Sequence, residues 1–295
     1  MFFFITSIRH PNNAKNYRVI LDLLQLTISS VCSQKTQFKF KFLIVCNEMP
    51  NIKVDESIVE FLVVDFPQPG DGKSIELAFE SVLKDKGSKL AAGLAWINQY
   101  NPSKVFIIDA DDWVNSNIVE YVSVNSDTSF WYVDTGYLIN LAAKKSTQKH
   151  GLCRYCGSTY IYDYKKLLDI IEYKGKLGEV LSQIEIIENI NDFGMNYILG
   201  DHRRQLGYFN KLNKKIAPLP FKAICWVLDT GENHSGKTGG TQGVPVTSTM
   251  LKQFGINSLE TLKRRAKLSE RLKEIFAKTI SYIGWAKTDK TADKV

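Results

Sequence analysis

The chain has 295 residues, of which 44% are apolar and 23% charged, the composition of an ordinary globular protein with a substantial core. This composition excludes a disordered chain, a collagen-like repeat and a disulfide scaffold, and no stretch approaches the roughly 20 apolar residues of a membrane span. The net charge is +7, but residues 251–295 hold eleven Lys or Arg and only five Asp or Glu. The basic excess therefore belongs mainly to the tail.

Five scattered cysteines indicate reduced thiols and a cytoplasmic protein. The opening MFFFITSIRH is too short for a signal peptide and has no basic leading segment. Cys153 and Cys156, with His150 upstream, have the spacing of half a zinc site. Because no second pair completes that site, a structural role for these thiols is favoured.

The apolar pattern of the first half predicts an alternating succession of strands and helices. The succession is a strand over 2–7, a helix over 15–33, strands over 38–45 and 58–64, a loop over 67–72, a helix from 87 to before 102, and a strand over 105–108. Strands that read as continuous apolar runs are typical of a parallel sheet covered on both faces. The sequence therefore predicts an α/β domain with a largely parallel sheet.

The second half is less regular. Its short apolar runs predict strands over 130–133, 137–139, 159–162 and 221–228, and helices over 163–171 and 177–187. Residues 231–243 include five glycines. Such a loop can bring its backbone amides close to a phosphate, or it can be a flexible surface loop without a ligand.

The stretch VFIIDADDWV, residues 105–114, runs from a buried strand into three carboxylates, Asp109, Asp111 and Asp112. Ligands of open α/β sheets bind beyond the carboxyl ends of the strands, and clustered carboxylates repel one another unless a cation neutralises them. A bound Mg²⁺ or Mn²⁺ would link this cluster to a substrate diphosphate. The alternative is that the acids are solvated or cap a helix that starts near Val114.

The order of these elements and three motifs resemble a glycosyltransferase with the A-type fold, near family 2. The motifs are FIIDADDWV at 106–114, CGSTY at 156–160 and GENHS at 231–235. The resemblance implies a single mixed, largely parallel central sheet flanked by helices. It implies a catalytic domain over 1–245, with a nucleotide-binding half over 1–125 and an acceptor half with a lid loop over 126–245. Residues 246–295 would be a basic, amphipathic helical extension.

The resemblance implies a nucleotide-diphosphate sugar as donor and places its pocket after the strands. Ser7 and Arg9 would line this pocket, and Asp65 would approach the base. Lys89, near the head of a helix, would contact the nucleotide, and Asp109 would touch the ribose or the metal. Arg9 and Lys89 could instead be solvated, and Asp65 could be a turn residue.

The implied metal is Mn²⁺ or Mg²⁺, with Asp109, Asp111 and His234 as ligands. Neutral imidazole beside carboxylates suits Mn²⁺. Asp112 would be a second ligand or a support for the others. Lys237, in the glycine-rich loop, would add positive charge against the leaving diphosphate.

Transfer with inversion needs a base for the acceptor hydroxyl, and the resemblance places an acidic residue at the head of a late helix in this role. Asp201 fits that place, with His202 beside it to orient it or to bind acceptor. Gly200-Asp201 departs from the Glu-Asp that such enzymes more often show. Asp192 therefore competes for the role, and Asp201 could simply be a helix cap.

The sequence thus predicts a metal-dependent glycosyltransferase that moves a sugar from a UDP- or GDP-sugar to a glycan or lipid-linked acceptor, in polysaccharide or cell-envelope synthesis. The alternatives are a nucleotidyltransferase-type enzyme, a nucleic-acid-binding protein that uses the basic tail, and a non-catalytic relative. A basic excess confined to one end argues against nucleic acid as a partner. Residues 259–285 have a basic amphipathic pattern that could lie on a membrane surface or pack on the domain.

Overall fold

The computed structural model of the protein describes residues 1–70, 75–211, 216–232, 240 and 242–259. The strands are β1 (Phe2–Ser7), β2 (Phe40–Cys46), β3 (Val59–Val63), β4 (Lys104–Ile107), β5 (Trp113–Val114), β6 (Phe130–Tyr132), β7 (Gly136–Asn140), β8 (Lys145–Lys149), β9 (Tyr160–Asp163), β10 (Ile216–Pro218), β11 (Ile224–Leu228) and β12 (Val244–Pro245). The helices are α1 (Tyr17–Cys32), α2 (Ile75–Ile97), α3 (Ile118–Val124), α4 (Tyr164–Ile170), α5 (Gln183–Glu188), α6 (Gln205–Lys211) and α7 (Ser248–Gln253). A π-helical turn covers Gly194–Leu199.

The central sheet has seven strands in the order β10-β6-β9-β4-β1-β2-β3. Only β9 runs antiparallel to its neighbours in this order. Successive residues of a strand point to opposite faces, and here Phe4 packs in one apolar cluster with α1 while Phe3 and Ile5 pack in another with α2. A helix therefore covers each face. The prediction of a mixed, largely parallel central sheet flanked by helices is confirmed.

A second sheet of five strands, in the order β12-β8-β7-β11-β5, accompanies the central one. The sequence did not predict this sheet as such. Its strand β5 follows the acidic cluster directly and pairs antiparallel with β11. The chain therefore passes from the central sheet to the second sheet within a few residues of Ile107, and the acidic cluster lies at the junction.

The start of α2 was predicted wrongly. The helix begins at Ile75, twelve residues before the expected start at Gly87. Gly87 and Gly93 lie inside it, at places where the helix approaches its neighbours closely. A Cβ at Gly87 would lie 2.6 Å from Met195 Sδ, and one at Gly93 would lie 3.0 Å from Val45 Cγ2. Close packing, and not helix termination, explains these glycines.

The predicted helix over 177–187 is shorter in the structure. It begins after Ser182, whose side chain accepts a hydrogen bond from the backbone N–H of Glu185 while the Glu185 carboxylate accepts one from the Ser182 backbone N–H. This reciprocal pair is a capping box and sets the start of α5.

Residues Met1–Ile256 form one compact unit, which includes α7. A second unit begins at Asn257, and the structure describes only residues 257–259 of it. The expected boundaries at 125 and 245 stay predictions. Most of the amphipathic pattern over 259–285 lies outside the described residues. In the described part of the chain, every helix is too short or too polar to cross a membrane.

The packing of α2 on the sheet gives a first prediction. Gly93→Leu should lower the free energy of unfolding by about 1–3 kcal/mol, because the new side chain overpacks against Ile5, Leu43 and Val45. Gly207→Leu is the matched control, since a Cβ at Gly207 in α6 meets nothing within 4 Å. Urea denaturation measures both. Equal effects of the two substitutions would contradict the packing described here.

Candidate functional site

A cleft of about 420 Å³ opens beyond the carboxyl ends of β1 and β4. It brings together five of the residues predicted from the sequence: Ser7, Arg9, Asp109, Asp111 and Asp201. The carboxyl ends of parallel strands meet at one edge of a sheet, so residues far apart in the chain converge there. The sequence prediction of a site at this edge agrees with the location of the cleft.

Asp109 is held on the cleft wall by contacts on two sides. Its Oδ1 lies 2.5 Å from the Lys86 Nζ of α2, and the backbone of Gly157 hydrogen-bonds its carboxylate. A Cβ at Gly157 would lie 2.4 Å from Asp109 Oδ2, so any larger residue there would displace the carboxylate from its present position. Burial favours the neutral acid, but the ion pair with Lys86 outweighs it and holds the pKa of Asp109 below its ordinary value.

Asp111 also lines the cleft, and its environment differs from that of Asp109. Burial and the neighbouring charge of Asp109 raise the pKa of Asp111 to about 7. Ionisation of Asp111 is therefore unfavourable until a cation joins the pair, which is the behaviour expected of closely spaced carboxylates.

Asp112 has a structural role. It is 1% exposed, and its Oδ2 accepts hydrogen bonds from Ser158 Oγ at 2.6 Å and Cys156 Sγ at 3.1 Å. Its Oδ1 accepts one from the Val227 backbone N–H of β11 at 3.0 Å. Burial, Asp111 and Asp109 raise the pKa of Asp112 well above its ordinary value. Of the two roles expected for Asp112, the structure favours the support. The helix that follows, α3, begins only at Ile118, so a cap by the acidic cluster is wrong.

The half-site spacing of Cys153 and Cys156 does not correspond to a metal centre among the described residues. Cys153 and Cys156 are buried, all five cysteines are free, and Cys156 donates to Asp112. His150 instead lies near the side chains of Thr135 and Gln148. The motif CGSTY supports the acidic cluster through Cys156, Gly157 and Ser158.

Arg9 is joined to a residue that the sequence analysis missed. Its Nη1 lies 3.0 Å from the Glu232 carboxylate, and its Nη2 donates to the Glu232 backbone carbonyl at 2.7 Å. Glu232 also accepts from the backbone N–H groups of Lys15 and Asn16. Glu232 thus fixes both Arg9 and the start of α1 at the cleft. Glu232 is part of the motif GENHS, but its pairing with a residue more than 220 positions away has no signal in the sequence.

Lys89 and Asp65 are not in the cleft lining. Lys89 is 0% exposed, and its Nζ donates to Asp85 Oδ2 and the Ile8 carbonyl. Lys89 was expected to contact the nucleotide because the helix was predicted to start at Gly87, whereas it starts at Ile75. Lys86, one turn earlier on the same helix, lines the cleft instead. Asp65 is exposed after β3.

Asp201 lies in the cleft wall beside Arg203. The Arg203 Nε donates to both Asp201 oxygens at 3.0 and 2.9 Å. Burial favours the neutral acid, but the bonds from Arg203 prevail and lower the pKa of Asp201. Asp201 is therefore ionised and already paired. The competitor Asp192 is exposed and outside the cleft lining.

His202 lines the cleft between these groups. Burial and the nearby Lys86 ammonium lower the pKa of His202 to about 4, so the imidazole is neutral at pH 7. Its Nε2 is buried with no hydrogen-bond partner among the described residues. A neutral imidazole in this position can hydrogen-bond a ligand through Nε2, but its lowered pKa makes it a poor proton acceptor.

An aromatic pair on the cleft wall was also missed. The rings of Tyr155 and Trp226 are stacked, with centroids 6.4 Å apart and planes 23° apart, and both residues line the cleft. Aromatic residues in apolar runs mostly belong to the core, so their pattern did not distinguish these two as site residues.

His234 and Lys237 lie outside the described residues. In the part of the chain that the structure describes, no three His, Cys, Asp or Glu side chains are arranged to hold a metal ion. The predicted set of Asp109, Asp111 and His234 therefore stays a prediction.

Comparisons with known proteins add little beyond this geometry. No model of a known protein family matches the chain, and no curated protein matches it. The solved structures that it resembles include S. aureus TarS 1–349, which is 12% identical, with 77% of this chain and 60% of that chain covered and a TM-score of 0.40. Another S. aureus TarS structure is 11% identical, with coverages of 77% and 36% and a TM-score of 0.40. HddC from Yersinia pseudotuberculosis, complexed with GMP-PN, is 11% identical, with coverages of 78% and 93% and a TM-score of 0.37.

The chain therefore spans only 60% and 36% of the two TarS chains that it resembles. With TM-scores of 0.40 and below, these likenesses do not decide an activity.

The acidic cluster gives a second prediction. Asp112→Ala should lower the free energy of unfolding by at least about 3 kcal/mol, because three buried donors lose their acceptor. Asp111→Ala should change it by less than about 0.5 kcal/mol or raise it, since Asp109 repels that charge. Asp112→Asn keeps the shape and should cost less than Asp112→Ala. Thermal or urea unfolding compares the three. A larger loss of unfolding free energy for Asp111→Ala than for Asp112→Ala would contradict the assignment of Asp112 as the buried support and Asp111 as the cleft-facing acid.

Proposed function

We propose that this chain is a metal-dependent glycosyltransferase that moves a sugar from a nucleoside-diphosphate sugar to a hydroxyl acceptor. One observation carries the proposal. Asp109 and Asp111 lie on one cleft wall at the end of β4, with the cations Arg9 and Lys86 lining the same cleft. Carboxylates and cations in one cleft suit a ligand that brings a metal ion and a phosphate together.

The charge of the cleft supports a metal ion. The described residues that line it include three cations, Arg9, Lys86 and Arg203, and five carboxylates, Asp85, Asp109, Asp111, Asp201 and Glu232. Asp85 is already paired with the enclosed Lys89, so four carboxylates face three cations. A diphosphate anion would therefore find no net attraction in this cleft unless further positive charge came with it. Burial and, after it, the charge of Asp109 raise the pKa of Asp111 to about 7, and a bound cation would favour its ionised form. The residues present therefore fit a hard divalent cation.

Asp111 and Asp109 would hold this metal, with His234 as the third ligand expected from the sequence. Mn²⁺ or Mg²⁺ bound there would supply positive charge to the leaving diphosphate. Lys237 would add to that charge. Ser7 and Arg9 line the part of the cleft beside β1 and are proposed to contact a UDP or GDP moiety.

The acceptor would lie towards Asp201 and the Tyr155–Trp226 pair. The faces of aromatic rings are apolar surfaces on which a sugar ring can pack. Asp201 would take the proton of the acceptor hydroxyl during direct, inverting attack on the sugar carbon. Arg203 fixes the orientation of this carboxylate, and its charge makes Asp201 a weak base until the acceptor oxygen becomes acidic in the transition state.

The acceptor itself is proposed to be a glycan or a lipid-linked precursor in polysaccharide or cell-envelope synthesis. Contact of the basic tail with a membrane surface belongs to the same proposal, as does a cytoplasmic location. A nucleotidyltransferase, the alternative activity, would use the same metal and cleft. It would release pyrophosphate, whereas a glycosyltransferase would release a nucleoside diphosphate.

Calorimetry of UDP and GDP with Mn²⁺ or with chelator tests the proposal. We expect at least one nucleotide to bind the wild type only with Mn²⁺. Asp111→Asn should weaken this binding at least tenfold, because one ligand charge is lost. Asp192→Asn is the matched control, an exposed acid outside the cleft lining, and it should bind as the wild type does. Failure of both nucleotides, and of a wider nucleotide panel, to bind the wild type would contradict the proposed function.

A further inference from the structure

Lys86 was not predicted as a site residue, yet it forms a salt bridge with Asp109 on the cleft wall. Its Nζ lies 2.5 Å from Asp109 Oδ1, and the two side chains are 30% and 31% exposed. The pair is therefore open to a ligand in the cleft.

The pair contrasts with another one on the same helix. Lys89 and Asp85 form an ion pair at 2.7 Å with side chains 0% and 6% exposed, and Lys89 also donates to the Ile8 carbonyl. That lysine is enclosed and fixed. Lys86 donates to Asp109, and its side chain is 30% exposed, so it can change partners at low cost.

Asp109 has little room for a metal while Lys86 is in place. Its carboxylate already accepts a hydrogen bond from the Gly157 backbone. Its Oδ1 side is taken by the ammonium group. A cation that binds Asp109 from the cleft must therefore compete with Lys86 for the same carboxylate.

We propose that Lys86 is an exchangeable counter-ion: it neutralises Asp109 in the free protein and moves to a phosphate oxygen of the donor when metal and diphosphate bind. The inference rests on the proposed function and names a further diphosphate-binding residue. It explains how a cleft rich in carboxylates stays stable without a ligand and still presents a cation to an anionic substrate. A divalent metal more than replaces the positive charge that the ammonium withdraws from Asp109, and the ammonium is then neutralised by the phosphate oxygen.

The exchange has a consequence that a purely structural lysine would not have. Removal of the Lys86 charge frees Asp109 and Asp111 for a metal, so the free protein should bind Mn²⁺ more tightly. The same removal takes a cation from the diphosphate, so UDP or GDP should bind less tightly. The two affinities change in opposite directions.

The experiment uses the full chain and three variants. Lys86→Met keeps the length of the stem and removes the charge. Lys86→Arg keeps the charge. Lys84→Met is the matched control, an exposed lysine on α2 outside the cleft lining. Electron paramagnetic resonance measures Mn²⁺ affinity without nucleotide, and calorimetry measures UDP and GDP affinity at saturating Mn²⁺. Circular dichroism checks that each variant is folded.

For Lys86→Met we expect the Mn²⁺ dissociation constant to fall about five- to tenfold and the nucleotide dissociation constant to rise about tenfold or more, the usual scale for one charge pair in a partly exposed site. Lys86→Arg and Lys84→Met should stay within about threefold of the wild type in both measurements.

An unchanged or weaker Mn²⁺ affinity for Lys86→Met would overturn the counter-ion role. If the wild type binds a nucleotide and Lys86→Met binds it equally well, the exchange fails while the proposed function stands. If the wild type binds Mn²⁺ but no nucleotide, the proposed function fails and the exchange fails with it.

Discussion

The site depends on the buried side chain of Asp112. This carboxyl group accepts from Ser158, from Cys156 and from the Val227 backbone of β11. It thereby ties the end of β4 to the second sheet and to the segment before β9. Because Asp112 is fixed inward, Asp109 and Asp111 are presented to the cleft. The same segment provides Gly157, which leaves room for the Asp109 carboxylate.

The charges of the side chains around the cleft indicate what it can bind. Burial and mutual repulsion make the ionisation of Asp111 costly, while Lys86 keeps Asp109 ionised. Arg9 and Arg203 are each paired with an acid of the cleft. The site therefore has few cations to spare for a diphosphate, and we infer that the missing positive charge arrives as a divalent metal.

Continuous apolar runs made β1, β2 and β4 predictable from the sequence, and with them the edge at which Asp109, Asp111, Ser7 and Arg9 meet. The second sheet was not predicted because strands such as β8, KSTQK, are mostly polar and lack a period-two apolar pattern. The start of α2 was missed because glycines needed for close packing resemble helix boundaries. As a result, Lys89 was predicted to line the cleft, where the structure places Lys86. The sequence left Asp112 as either a second metal ligand or a support, and could not decide between them, since the choice depends on contacts with residues more than 40 positions away.

The measurement that tests the central claim most directly is product analysis with a panel of UDP- and GDP-sugars and Mn²⁺. Water can replace the acceptor hydroxyl as the nucleophile, so an enzyme of the proposed kind should hydrolyse its donor slowly when no acceptor is present. We expect one donor to release free nucleoside diphosphate, only with the metal and not with Asp111→Asn. Release of pyrophosphate from nucleoside triphosphates and sugar phosphates, with no nucleoside diphosphate from any sugar nucleotide, would contradict the account and favour a nucleotidyltransferase.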